Sequence, residues 1–115
     1  MYQIKEVSKI VQIPESKIRY YEKEGIFPPF NRDKNNIRIF SDKDIELINL
    51  VKCLRNIGMP MKEIRENVAL LLDKNKDLTA RDILIEHRDK LEEQRKLLKR
   101  YIDAINLKLD DNVNV

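Results

Sequence analysis

The stretch Lys17-Ile18-Arg19-Tyr20-Tyr21-Glu22-Lys23-Glu24-Gly25-Ile26-Phe27-Pro28-Pro29, followed by Ile37-Arg38-Ile39-Phe40, decides the fold of this chain. It reads as a short basic helix with paired tyrosines, a Gly-Pro-Pro stop and a small strand carrying an arginine. Ile18, Ile26, Phe27 and Phe40 supply an apolar underside, so that Arg19 and Arg38 can be aimed at phosphates or bases. Cations and aromatics over a packed apolar base are the make-up of a nucleic-acid reader.

Upstream of this stretch, Ile4, Val7, Ile10 and Val11 fall on one face of a two-turn helix. Gln12-Ile13 make a tight turn, and Pro14 suits the first position of the next helix, where its missing N–H is not needed. That helix runs from Glu15 to about Glu24, with Ile18 and Tyr21 inward and Ser16, Lys17, Arg19 and Tyr20 outward. Gly25 supplies a left-handed stop and Pro28-Pro29 forbid continuation. Two short helices around a tight turn form a helix-turn-helix, whose second helix enters the major groove. Asn31-Arg32, a turn at Asp33-Lys34-Asn35-Asn36 and Ile37–Phe40 then read as a β-hairpin wing, since asparagine tolerates the positive φ of a tight turn.

Downstream, Ser41-Asp42-Lys43-Asp44 is a capping box that uses Asp in place of the usual Glu. It opens a helix rich in Ile, Leu and Val that stops at Gly58. Pro60 begins another, with Ile64, Val68, Leu71 and Leu72 at helical spacing, and the polar link Asp73–Asp77 follows. Thr79-Ala80-Arg81-Asp82 repeats the cap and opens a final helix of about thirty residues. Leu84, Leu91, Leu98 and Ile105 recur there at every seventh position, with His87, Gln94 and Tyr101 between them and Ile102 and Leu109 adding bulk. Such a seam calls for a helical partner, and the same helix of a second copy is the expected one, with the polar positions setting register. The expected architecture is therefore mainly α: a winged helix-turn-helix head over 1–72, a dimerisation coiled-coil helix over 79–109 and a flexible tail over 110–115.

Composition agrees. Two glycines, four prolines and 37% charged residues in 115 suit a helical protein, and seven Phe and Tyr with no Trp make only a small core. Residues 1–72 hold 13 Lys and Arg against 10 Asp and Glu, whereas residues 73–115 hold ten of each. The surplus of +3 thus lies in the head, as a DNA-facing surface needs, although a charge of this size is ordinary for any soluble domain. No run approaches a membrane span, no signal peptide opens the chain, and Cys53 has no second cysteine to pair with, all of which points to the cytoplasm.

Chemistry beyond binding is sparse. There is no Ser/His/Asp set, no Gly-rich phosphate loop and no carboxylate pair, so an enzyme is not expected. His87 stands alone without a second ligand at metal-binding spacing, and no cofactor or metal is implied. Cys53 has two readings: a thiol that responds to electrophiles, or a small hydrophobe buried on an apolar helix. Lys52 and Arg55 are near it in sequence but leave the helix on different faces.

Taken together, Ile18-Arg19-Tyr20-Tyr21-Glu22, Gly25, Pro28-Pro29, Arg32, Arg38 with Phe40 and the Ser41–Asp44 cap resemble the MerR family of bacterial transcription regulators. Asn36 stands where that family commonly has Gly, and Ile37 where it has an aromatic. The resemblance implies a homodimer on a pseudo-palindromic promoter whose over-long spacer is bent and untwisted, so that RNA polymerase aligns with both promoter elements. It also implies that Lys17, Arg19, Tyr20, Arg38 and Lys62 touch the double-stranded DNA. Ser16 on the same helix and Arg32, Lys34 and Asn36 in the wing complete the candidate surface. Cys53 with Leu54-Arg55 and Gly58, and Ile83-Leu84-Ile85-Glu86 with Arg88, further resemble the aldehyde- and nitrosative-stress branch (the NmlR and AdhR type). That branch implies a switch at Cys53 driven by an aldehyde or nitrosothiol. One alternative is a regulator of this family that senses a metabolite or partner protein through its tail, with Cys53 purely structural. Another is a coiled-coil adaptor that does not use DNA, against which the arginine wing argues.

Overall fold

Five helices form among residues 1–111, the residues that the computed structural model describes: α1 (Ile4–Val11), α2 (Glu15–Lys23), α3 (Asp42–Asn56), α4 (Met61–Leu72) and α5 (Ala80–Asp110). The chain divides into two units, Met1–Leu78 and a second that begins at Thr79.

In the first unit the Glu6 carboxylate accepts the Gln3 N–H at 3.2 Å, a cap at the start of α1 beyond the two expected from the sequence. α1 ends where Gln12 turns left-handed at φ 56°. Val7 and Val11 are buried, but Ile10, expected on the same face, is 51% exposed. At about 100° per residue Ile4, Val7 and Val11 cluster on one side, and Ile10 falls at the edge of that arc. Pro14 lies just before α2 rather than in its first turn, and its carbonyl accepts the N–H groups of Lys17 and Ile18. Gly25, at φ +74°, then reverses the chain as Ile26 N–H bonds to Tyr21 O at 2.9 Å.

α3 starts with the expected box: Asp44 N–H donates to Ser41 Oγ at 3.1 Å, and Ser41 N–H to Asp44 Oδ2 at 2.9 Å. It stops before Gly58, at φ +83°, and α4 follows Pro60. α4 buries Ile64 and Val68 as its spacing predicts, yet Leu71 is only half-buried and Leu72 is exposed near its final turn. α1 packs on α2 and α3, and α3 packs on α4.

The wing is less than a hairpin ladder. Among the described residues no strand forms between α2 and α3, and a single antiparallel bridge joins Arg32 to Arg38. The turn is built instead by Asp33, whose Oδ1 accepts the N–H groups of Asn35 and Ile37 at 2.8 and 3.0 Å. Asn36 takes φ 63°, as expected of an asparagine there. A second bridge closes the base: Tyr2 N–H donates to Phe40 O at 2.9 Å and Phe40 N–H to Tyr2 O at 2.8 Å. The Asp42 carboxylate beside Tyr2 holds its phenol above the ordinary value.

Beneath the wing and α2 runs a row of rings. Tyr20 tilts against Tyr21, Tyr21 meets Phe27 edge-on at 5.9 Å, Phe27 meets Phe30 at 5.5 Å, and Phe30 meets Phe40 at 4.6 Å. Such pairs contribute about 0.5–1.5 kcal/mol each beyond area burial. With Ile18, Ile26, Ile48 and Leu54, all essentially inaccessible, the buried rings of Tyr21, Phe27, Phe30 and Phe40 make the floor on which the charged surface rests.

The second unit is α5. Thr79 Oγ1 accepts the Asp82 N–H at 3.1 Å and Asp82 Oδ2 accepts the Thr79 N–H at 3.0 Å, closing the second expected box. Ion pairs one turn apart line its polar sides, among them Glu86–Lys90, Glu92–Arg95 and Lys99–Asp103. Leu84, Leu91, Leu98 and Ile105 are all exposed in the single chain, whereas Ile83 and His87 are buried. His87 thus differs from Gln94 and Tyr101, the other two polar positions of the seam, which are exposed. Asp110, expected in the tail, is the last residue of α5, Asp111 lies in a turn, and residues 112–115 fall outside the described residues. No helix among the described residues is long and apolar enough to cross a membrane.

Candidate nucleic-acid interface

α2 presents Ser16, Lys17, Arg19 and Tyr20 together, because Ile18 and Tyr21 pin its opposite face into the core. Arg19 makes only a loose pair with Glu15, at 3.8 Å and with both side chains well exposed, so its guanidinium is available for a stronger acceptor. The Lys17 ammonium lies 5.6 Å from the centre of the Tyr21 ring, a cation–π contact that steadies a long side chain. Tyr20 is 56% exposed, while Tyr21 is buried. The paired tyrosines therefore divide between surface and core, as the sequence suggested.

The wing contributes Arg32, Lys34, Asn36 and Arg38. Lys34 and Asn36 are exposed at the turn. Arg32 donates from Nη1 to the Asn36 carbonyl at 3.0 Å, which braces the turn from one side. Arg38 is less free than the sequence suggested: its side chain is 22% exposed, and Nε donates to Glu22 Oε1 at 2.7 Å. Glu22 Oε2 accepts the Phe30 N–H, also at 2.7 Å, and Arg32 Nη2 stands 4.0 Å from Oε1. One carboxylate of α2 therefore gathers both wing arginines and the main chain between them.

A third portion comes from the corner between α3 and α4, where Gly58 and Pro60 reverse the chain. Arg55, Met61 and Arg65 line a cleft of about 310 Å³ with Lys17, Tyr20, Tyr21 and Ile26, and with Glu24, the one carboxylate among its three cations. Lys62, exposed on α4, is not among the residues lining it. Neither arginine was among the DNA-facing residues expected from the sequence, which noted Arg55 only beside Cys53 and in the branch resemblance. What could have found them is that they flank the turn that carries them against α2. Cys53 is exposed in the single chain, so it is not packed there as a buried hydrophobe. Lys52 does not serve it, since its Nζ donates to the Val11 carbonyl at 2.8 Å. No group of three or more potential metal ligands occurs among the described residues.

The chain that carries this surface is similar to known proteins. Residues 2–71 match the model of the MerR HTH family of regulatory proteins, and residues 45–106 match a second model described as MerR, DNA binding. An HTH-type transcriptional regulator of Haemophilus influenzae is 32% identical over 94% of this chain and 81% of its own length. The regulator AdhR of Bacillus subtilis is 33% identical over 76% of this chain and 64% of its own. Among solved structures, HiNmlR, a MerR family regulator lacking the sensor domain and bound to promoter DNA, is 32% identical. It superposes with a TM-score of 0.65 over 95% of this chain and 87% of that one. AdhR and HiNmlR support the resemblance to the NmlR/AdhR-like branch, and the matched families hold regulators rather than enzymes. The chain belongs to the MerR helix-turn-helix family of DNA-binding transcriptional regulators.

Proposed function

We propose that this regulator binds a pseudo-palindromic promoter site as a homodimer, distorts the spacer so that RNA polymerase can engage both promoter elements, and is switched by electrophiles at Cys53. The observation that carries the DNA half is that α2 is joined to cations on two other elements: its Glu22 meets the wing arginines, and its Lys17 and Tyr20 share a cleft with Arg55 and Arg65. Cations on three elements fit a backbone that runs past α2 on both sides. The exposed apolar stripe of α5 supports pairing with a second copy. HiNmlR's promoter complex supports the DNA reading by similarity.

Exposure of Cys53 favours the electrophile switch over a purely structural thiol, because an aldehyde or nitrosothiol must reach the sulfur. The competing reading, a metabolite or protein sensed through the tail, keeps Cys53 idle.

The test uses duplexes enriched from a random pool by the full-length chain, measured by anisotropy across a salt series and by sedimentation of the complex. Two chains per duplex are expected, together with a steep salt dependence that flattens by about one phosphate in Arg19→Ala. A single chain per duplex would sink the dimer, and an unaltered salt slope would remove Arg19 from the interface. In a reporter strain, Cys53→Ser should abolish the aldehyde response. A full response from that variant would return the signal to the tail.

A further inference from the structure

We propose that Glu22 is a positioning residue of the DNA surface: anchored on Phe30, its carboxylate holds Arg38 by Nε and so sets the guanidinium's remaining donors toward a phosphate. The proposal rests on the DNA-binding reading above and adds to it a group that itself repels DNA. Three observations carry it.

First, the bridge between Arg32 and Arg38 places two arginines directly opposite each other, an arrangement in which like charges repel. Glu22 Oε1 lies 2.7 Å from Arg38 Nε and 4.0 Å from Arg32 Nη2, and offsets that repulsion. Second, the carboxylate is not itself mobile. Its other oxygen accepts the Phe30 N–H at 2.7 Å, and the side chain is only 10% exposed. A charge so placed is weakly screened and makes a short, directional bond. Third, the bond uses Nε, so both Nη groups of Arg38 remain as donors for a planar acceptor such as phosphate. The fork is held at its inner edge and offered at its outer edge.

The sign of the effect separates positioning from bulk charge. Glu22→Gln removes a negative charge from the surface, and long-range electrostatics alone would then tighten DNA binding. Glutamine keeps a carbonyl oxygen for Phe30 N–H, but its amide leaves Arg38 Nε without a charged acceptor. Positioning therefore requires that Glu22→Gln weaken binding although the net charge rises.

The experiment measures the full-length chain on a duplex selected by the wild type and on a random duplex of equal length. Expected for Glu22→Gln is a loss of about tenfold on the selected duplex, the size of one charge-assisted hydrogen bond. Binding to the random duplex should weaken as well, because a phosphate contact is made whatever the sequence. The salt slope on the selected duplex should fall toward that of Arg38→Ala, and the double variant should lose no more than Arg38→Ala alone. Equal or tighter binding to the selected duplex, or additive losses in the double variant, would overturn the proposal. If thermal melting shows that Glu22→Gln does not fold, Arg38→Lys decides. Lysine keeps the charge but cannot hold Glu22 and a phosphate through separate edges, so a loss equal to Arg38→Ala is expected, and wild-type affinity would overturn the proposal. A wild-type chain that selects no duplex overturns the DNA-binding reading itself, which is distinct from a failure at Glu22.

Discussion

Gly25 and Gly58 sit at φ +74° and +83°, and a Cβ built at either would stand in open space. What each position demands is therefore the backbone angle and not room. Asn36, at φ 63°, occupies the same region with an asparagine. Gly25→Ala should cost about 1–2 kcal/mol through left-handed strain alone, whereas Asn36→Gly should be close to neutral. Thermal unfolding of the two variants checks the contrast, and equal melting temperatures would contradict it. These positions were legible in the sequence because their chemistry is local. Glu22 was not, because the groups it serves, Phe30 and Arg38, are brought to it only by the Gly25 reversal and the wing turn. Cys53 likewise carries no mark of exposure in its neighbours Val51 and Leu54, both buried.

At the scale of elements, caps and stops were the readable part. Ser41 and Thr79 were recognisable as caps because each is followed three residues on by an aspartate. At Asp82 the consequence is measurable: the hydrogen bonds from Thr79 hold its carboxyl below the ordinary 3.8. A folded-state value lowered in this way contributes stability above the unfolded value, and that contribution is lost as pH falls through the folded one. Acid titration followed by circular dichroism should therefore show Asp82→Asn less helical than the wild type at neutral pH, with the gap closing as the pH falls below the ordinary carboxylate range. A gap that stayed constant would remove Asp82 from the cap. The wing forms with shorter pairing than a hairpin suggests, since a turn signal places two segments opposite each other but does not count ladder partners. One bridge, flanked by the backbone bonds from Asp33 N–H to Ile37 O and from Ile39 N–H to Asn31 O, and the Asp33 carboxylate do the work that longer paired strands were expected to do. The edge of α1 was over-read for a related reason: in a helix of eight residues, one position decides whether a side chain faces the core.

Across the whole molecule, the two units separate a surface that carries net positive charge from a neutral helix. The seven-residue spacing of leucines along α5 was plain in the sequence, but what covers those leucines is not a property of one chain. Their exposure supports the dimer proposed above, in which the stability of α5 would depend on protomer concentration. The clasp between Tyr2 and Phe40 has a further consequence. Chain ends ordinarily fray, and their amides trade hydrogen with water almost as freely as in an unfolded peptide. Here the second residue is tied by reciprocal backbone bonds to the last residue of the wing. In a hydrogen–deuterium exchange experiment the Tyr2 and Phe40 amides should be slow together and should be released together, as one opening of the wing from the helices beneath it. A Tyr2 amide that exchanged at the free-peptide rate while Phe40 stayed protected would show that the clasp does not hold in solution.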